Sequence, residues 1–79
     1  MRNPELKVDD RVVLLDMSDL QGVEAGTWGT VTSVTTIFGD VQYGVNWDNG
    51  SRLALITGLD RWDTNQNRIE NGKRPLKGE

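Results

Sequence analysis

The chain has 79 residues, of which 35% are hydrophobic, and a formal net charge of −3. A chain of this length forms at most one domain and buries only about 60% of its unfolded surface, so its core must be built from few side chains. It contains no Cys and no His, which excludes disulfides, Cys/His zinc sites, thiol nucleophiles and histidine general bases.

The N-terminal part predicts a loose lead-in over residues 1–7, followed by a first strand. Residues 12–15 are a Val-Val-Leu-Leu run bounded by acidic residues. This apolar run is far too short to cross a membrane, and the N-terminus lacks the apolar stretch of a signal peptide. We therefore expect a soluble protein with no membrane contact. The absence of Cys fits a cytoplasmic location.

A long loop follows, and it carries an acidic rim. Residues 16–26 contain polar side chains and Gly without sustained periodicity, and loops of about this length are frequently functional. The acidic residues of this loop are Asp16, Asp19 and Glu24. They predict either a solvated loop or a contact for a basic protein partner. The loop has no Tyr or Trp, so recognition of proline-rich peptides is disfavoured.

Trp28 begins the next strand and is a candidate binding residue. It has Gly and Thr on both sides and no apolar neighbour in sequence. Two interpretations stay open: an exposed aromatic that anchors a protein partner, or a lid over one end of a barrel.

Residues 27–37 are rich in Thr and Val and predict a long strand. Val31 is a candidate core residue. Under strict alternation Val31 and Ile37 share one face while Val34 lies on the other. This mismatch predicts a bulge or a sharp bend within the strand.

The clearest strand spans residues 41–47. Tyr43, Val45 and Trp47 alternate there with polar residues and Gly, and this period of two places all three side chains in the core. A further strand is predicted over residues 51–56, with Leu53 as its core residue.

Asn49 and Gly50 predict a hairpin between these two strands, because a type I′ turn needs positive φ at both central positions. Asp48 is interpreted as a cap of this turn. A two-residue loop would place Trp47 opposite Arg52. The register therefore stays open between this loop and a longer one over residues 48–51.

The C-terminal part predicts a short 3₁₀ turn near Asp60 and Trp62 that returns Trp62 to the core. Residues 66–79 are polar, with four basic and two acidic side chains, whereas residues 1–65 have five basic and ten acidic ones. We interpret residues 8–65 as the folded domain and residues 66–79 as a disordered tail. No helical period reaches three turns, which predicts an all-β chain.

Metal and catalytic sites are not expected. Residues 63–67 have oxygen side chains at alternate positions, as in an EF-hand loop, but Arg68 stands where the required Gly must be. Asp48 has no partner carboxylate at a recognisable spacing. We therefore predict no catalytic residue, no metal site and no cofactor.

The motifs together resemble a known family. They are VDDRV (8–12), AGTWGTV (25–31), VNWDNGSRL (45–53) and LD (59–60). This set is similar to small SH3-like domains of bacteria and bacteriophages, whose usual pattern is Gly-Asp-Arg-Val, Gly-Thr-x-Gly-Thr-Val and Trp-Asp-Asn-Gly-Ser-x-Leu. Asp9 stands where that family has Gly. The resemblance implies an SH3-like barrel of about five strands and a binding module without a named ligand.

Two function classes follow. The first is a non-enzymatic adaptor, a phage or bacterial accessory protein that contacts a protein partner through Trp28 and the acidic loop. The second is a module associated with nucleic acid or a transcription or translation complex, because the N-terminal part resembles the KOW motif and residues 66–79 are basic. The acidic body disfavours the second, since affinity for phosphate backbones comes largely from Lys and Arg.

Overall fold

The computed structural model describes residues 3–16 and 23–77. Within them the elements are β1 (Arg11–Asp16), β2 (Trp28–Ile37), β3 (Asp40–Trp47), β4 (Leu55–Ile56), β5 (Arg61–Asp63) and α1 (Asn65–Glu70). The five strands form one antiparallel sheet in the order β4-β3-β2-β1-β5. The prediction of a mostly-β fold with about five strands is confirmed, and this strand order is compatible with an SH3-like barrel.

The main core lies on one face of the sheet. It contains Tyr43, Val45 and Trp47 of β3, packed with Val31 and with residues of β1, β4 and β5. Trp47 is 2% exposed, and its indole N–H donates to the carbonyl oxygen of Leu53 at 2.8 Å. The structure thus places the predicted core residues together, with Leu53 partly buried against them.

Trp62 joins this core from β5, where its Cα lies opposite Leu14. The Trp62 ring meets the Tyr43 ring edge-on, with 5.5 Å between centroids. The predicted 3₁₀ turn near Asp60 is wrong. A turn closed by a hydrogen bond from the Leu59 N–H to the Ile56 carbonyl oxygen comes first, and Trp62 then lies in a strand. Residues 61–63 pair with β1, and this pairing keeps their backbone extended where a 3₁₀ turn was predicted.

The bulge predicted in β2 is present. The register of β2 with β3 shifts between Val31 and Ser33. Beyond the shift, Val34 lies opposite Tyr43 and therefore on the core face, whereas Ile37 turns to the other side. The extra residue explains why strict alternation put Val34 and Ile37 on the wrong faces.

The turn after β3 differs from the type I′ prediction. The Gly50 N–H donates to the Trp47 carbonyl oxygen, and the Trp47 N–H donates to the Ser51 carbonyl oxygen, both at 2.9 Å. Gly50 has φ +89°, while the described non-glycine residues with positive φ are Asp9 and Phe38. These features define a three-residue loop, a type I turn followed by a left-handed Gly. Trp47 therefore faces Ser51 and not Arg52.

The strand predicted over residues 51–56 is also shorter than expected. Strand pairing with β3 is limited to Leu55 and Ile56. The preceding segment is held by the Trp47 indole bond to Leu53 and not by a continuous ladder of main-chain bonds.

A short helix lies at the start of the region that the sequence assigned to a disordered tail, and residues 71–77 follow it without helix or strand. Helix α1 spans six residues, and Thr64 caps it by accepting a hydrogen bond from the Asn67 N–H. The Asn67 side chain also donates to Asp63 at 2.8 Å. A polar cap and side-chain hydrogen bonds stabilise this helix. Its sequence has no repeated apolar side chains from which a helix could be predicted. No helix in the described residues is long and apolar enough to span a bilayer.

Asp9 adopts a backbone conformation that suits glycine. Its φ is +76°, in a turn closed by a bond from the Asp10 N–H to the Lys7 carbonyl oxygen at 3.0 Å. The left-handed region costs an L-residue about 1 kcal/mol, and Gly avoids this cost. We expect Asp9→Gly to raise the free energy of unfolding by up to about 0.5 kcal/mol in urea denaturation, after the added entropy of the unfolded chain is counted. Asp40→Gly, at a strand position with ordinary φ, should lower it. A loss of stability in Asp9→Gly would contradict this account.

Candidate functional site

Trp28 lies on the face of the sheet opposite the main core. In the pairing of β1 with β2, Val13 is opposite Trp28, and Val12 is opposite Gly29. Because successive side chains alternate, Val13 and Trp28 point away from the core residue Val12. Both are nonetheless buried, and Trp28 is only 6% exposed. The outer face of the sheet therefore has a covered site of its own, and Trp28 is not the exposed aromatic of the first interpretation.

Arg11 fixes the Trp28 ring from one side. Its guanidinium carbon lies 5.9 Å from the ring centroid, within cation–π range. The two terminal nitrogens of Arg11 donate to the two carboxylate oxygens of Asp48 at 2.9 and 2.7 Å, and one also donates to the Thr30 hydroxyl. The Asp48 N–H in turn donates to the Trp28 carbonyl oxygen at 2.8 Å. Trp28, Arg11 and Asp48 form a closed network that orients the indole.

Asp48 thus has a different role from the predicted turn cap. Its carboxylate is committed to Arg11, and the Asn49 side chain caps the turn instead by accepting from the Ser51 N–H at 2.9 Å. The bidentate geometry explains why Asp48 pairs with Arg11, because a guanidinium and a carboxylate form two hydrogen bonds with each other at once.

Hydrogen bonds from Arg11 lower the pKa of the Asp48 carboxyl, against a smaller opposing effect of desolvation. Because the folded pKa is below the unfolded one, the ion pair stabilises the fold fully above about pH 4 and loses this contribution as the pH falls through the folded pKa. We expect the stability difference between wild type and Asp48→Asn to be present at about pH 7 and to shrink in stronger acid. Urea denaturation as a function of pH measures this difference.

Arg11→Gln is the matched partner variant, because it removes the same pair from the other side. The free energy of unfolding of Arg11→Gln should lack the same pH-dependent contribution as that of Asp48→Asn. A difference between wild type and Asp48→Asn that grows as the pH falls would contradict the assignment.

The C-terminal segment covers Trp28 from the other side. We call residues 74–77 the closing segment. The Trp28 indole N–H donates to the Lys77 carbonyl oxygen at 2.8 Å. Asn65, at the start of α1, binds Leu76 twice: its amide NH₂ donates to the Leu76 carbonyl oxygen at 2.9 Å, and its Oδ1 accepts from the Leu76 N–H at 2.7 Å. The site holds a short stretch of main chain with three hydrogen bonds.

Asn65 is well suited to this task. It is 6% exposed, so its amide is held in place, and a side-chain amide offers one donor and one acceptor with the spacing of a peptide group. It therefore pairs with Leu76 as a neighbouring strand would. Trp28, Arg11, Asp48 and Asn65 together are called the Trp28 site below.

The acidic residues predicted to act with Trp28 are not part of this network. Asp16 is exposed at the end of β1, where it lies opposite Arg61 of β5. Glu24 is exposed in the loop before β2, and Asp19 lies outside the described residues. The structure therefore brings neither Asp16 nor Glu24 into the hydrogen-bond network around the indole.

Within residues 3–16 and 23–77, no three His, Cys, Asp or Glu side chains are grouped as metal ligands. The Trp28 site offers an aromatic ring, an amide and an ion pair. Groups of these kinds can bind and orient a ligand.

A family model described as "Domain of unknown function (DUF4314)" matches residues 6–64. The chain belongs to this family. Comparison with curated proteins and with solved structures gave no match.

The DUF4314 match ends at Thr64, directly before α1. Arg11, Trp28 and Asp48 therefore belong to the matched domain, whereas Asn65 and the closing segment follow it. The Trp28 site is a composite. The matched domain supplies the aromatic ring and its supporting ion pair, and the following residues supply the amide clamp and the segment that it holds.

Sequence reasoning missed three parts of the site: Arg11 as the support of the ring, Asn65 as the clamp, and the closing segment. Arg11 could have been found as the Arg of the VDDRV motif, which ends in the strand that also contributes Val13. Asn65 carries no such signal, because a polar residue in a polar stretch looks solvated until its contacts are known.

Proposed function

We propose that this protein is a non-enzymatic binding module that holds an extended segment of a protein partner across Trp28. The observation that carries the proposal is the closing segment itself. The Trp28 site binds Leu76 and Lys77 through main-chain atoms, so a segment of another protein with the same main-chain conformation can make the same three hydrogen bonds.

This recognition resembles strand addition, in which main-chain bonds give affinity and a few side-chain contacts give specificity. Trp28 supplies a large apolar contact at low cost in conformational entropy, because the network with Arg11 and Asp48 already fixes its ring. Aromatic residues held in this way are frequent binding hot spots.

The closing segment also suggests the chemistry of the partner. An apolar residue followed by a basic one, as in Leu76 and Lys77, fits a protein whose residues 1–65 carry five basic and ten acidic side chains. The exposed carboxylates of Asp16 and Glu24 would then attract the flanking basic residues of the partner from further away, as the acidic rim predicted from the sequence would.

A peptide display library presented to the full chain tests the proposal. We expect the selected peptides to share an apolar-basic pair, to shift the NMR signal of the Trp28 indole N–H, and to lose affinity for Asn65→Asp. Phe38→Ala is the matched control, because Phe38 is 102% exposed on the β2–β3 turn and lies outside the site. Selected peptides that bind Asn65→Asp and wild type equally would refute it.

The alternative of a nucleic-acid module finds less support in the geometry. Arg68 and Lys73, from the basic region, line one small pocket together with Arg61, whereas an extended phosphate backbone is bound by cations along a groove. A titration with single-stranded oligonucleotide at low salt tests this alternative separately.

A further inference from the structure

A second site, separate from the Trp28 site, lies between β5 and the C-terminal end of α1. It is a pocket of about 230 Å³ whose lining includes the cations Arg61, Arg68 and Lys73. Like charges around one small pocket repel each other, and an anion bound among them would relieve this repulsion.

Within the described residues none of the three cations forms an ion pair, although Asp16 lies opposite Arg61 in the sheet register; Arg11 with Asp48 is the pair observed there. The pocket does contain Asp63, but this residue is 8% exposed and its Oδ1 already accepts hydrogen bonds from the Thr64 N–H and the Asn67 amide, both at 2.8 Å.

The groups around the pocket are arranged as donors. Arg68 is held by a bond from its Nε to the Arg74 carbonyl oxygen at 2.9 Å, which uses one of its five N–H groups. The Asn3 amide also lines the pocket, and one of its two N–H groups donates to the Asp60 carbonyl oxygen at 2.8 Å. Guanidinium, ammonium and amide groups around a small cavity match the three or four acceptor oxygens of a phosphate.

We propose that this pocket binds the phosphate group of a small phosphate monoester. The volume admits one phosphate and a short organic part, and three cations belong to the lining. The acidic residues of the rest of the chain repel a long polyanion. A compact dianion therefore fits better than a nucleic-acid strand.

Titration of the full chain with inorganic phosphate, followed by NMR of the backbone amides and by calorimetry, tests the proposal. We expect saturable shifts confined to residues around the pocket, and tighter binding of glycerol phosphate than of inorganic phosphate. The double variant Arg61→Gln/Arg68→Gln should weaken binding at least tenfold. Arg52→Gln removes one exposed cation outside the pocket and should leave the affinity unchanged.

Three results would overturn the proposal: no saturable shift with either phosphate, an equal loss of affinity in Arg52→Gln, or binding of a single-stranded oligonucleotide at this pocket without binding of the small phosphates. Circular dichroism of the double variant shows whether it is folded. If it is not, Lys73→Gln at an exposed position replaces it, with the same expected direction.

Discussion

Replacing Trp47 by alanine is expected to remove most of the stability of the protein. Trp47 is 2% exposed, lies among the core residues of β2, β3 and β4, and bonds to Leu53 through its indole. Deletion of a buried Trp side chain costs about 3–5 kcal/mol, and domains of this size have little more than about 5 kcal/mol in total. Urea denaturation followed by circular dichroism should show a largely unfolded variant at room temperature.

Gly29→Ala tests the same packing from the opposite direction. A Cβ at position 29 would lie 2.6 Å from Val45 Cγ1 and 2.8 Å from Trp47 Cε3, so these side chains must move. We expect a loss of about 1–3 kcal/mol from this overpacking. Phe38→Ala, at an exposed turn, should change stability by less than about 0.5 kcal/mol. A Trp47→Ala variant as stable as Phe38→Ala would contradict the core assignment.

Replacing Asn65 by aspartate is expected to detach the closing segment and expose Trp28. The carboxylate has no N–H to donate to the Leu76 carbonyl oxygen, and it places negative charge beside that oxygen. An unsatisfied buried group of this kind costs about 1–3 kcal/mol, which is enough to release a short segment. Hydrogen exchange of the Trp28 indole N–H should become at least about tenfold faster, as expected for about 1.4 kcal/mol.

The other two tryptophans are internal references for this measurement. The indoles of Trp47 and Trp62 donate to the carbonyl oxygens of Leu53 and Pro4, away from the closing segment, so their exchange should not change. Gln66→Glu is the matched variant, because it makes the same amide-to-carboxylate change at the next, exposed residue of α1. Equal acceleration at all three indoles would indicate global destabilisation and contradict the local role of Asn65.

The main features of the fold could be predicted because they rest on local periodicity. The period of two in β3 placed Tyr43, Val45 and Trp47 on one face, and the mismatch between Val31 and Val34 indicated the bulge in β2. The turn after β3 could not be predicted in detail. Asn49 and Gly50 suit a type I′ turn, but the packing of Trp47 and its bond to Leu53 favour a longer loop.

The Trp28 site could be predicted only in part. Trp28 was a candidate because it lacks apolar neighbours, yet its burial depends on Asn65 and Lys77, which lie far along the chain and have no pattern of their own. The acidic loop was predicted to bind a partner because of its composition alone. The pairing of Arg11 with Asp48 could not be predicted in this way, because it depends on the sheet register. Contacts between distant polar residues are set by the fold and are not visible in local sequence.

Titration of the peptide Lys-Arg-Pro-Leu-Lys, which corresponds to residues 73–77, into the full-length Leu76→Pro variant tests the central proposal most directly. Proline at position 76 removes the N–H that Asn65 accepts, which weakens the closing segment within the chain. We expect a saturable shift of the Trp28 indole N–H signal in this variant. The shift should be weaker in wild type, where the tethered segment competes, and absent in Leu76→Pro/Asn65→Asp. No shift in Leu76→Pro, or the same shift in the double variant, would show that the Trp28 site does not recognise an extended segment.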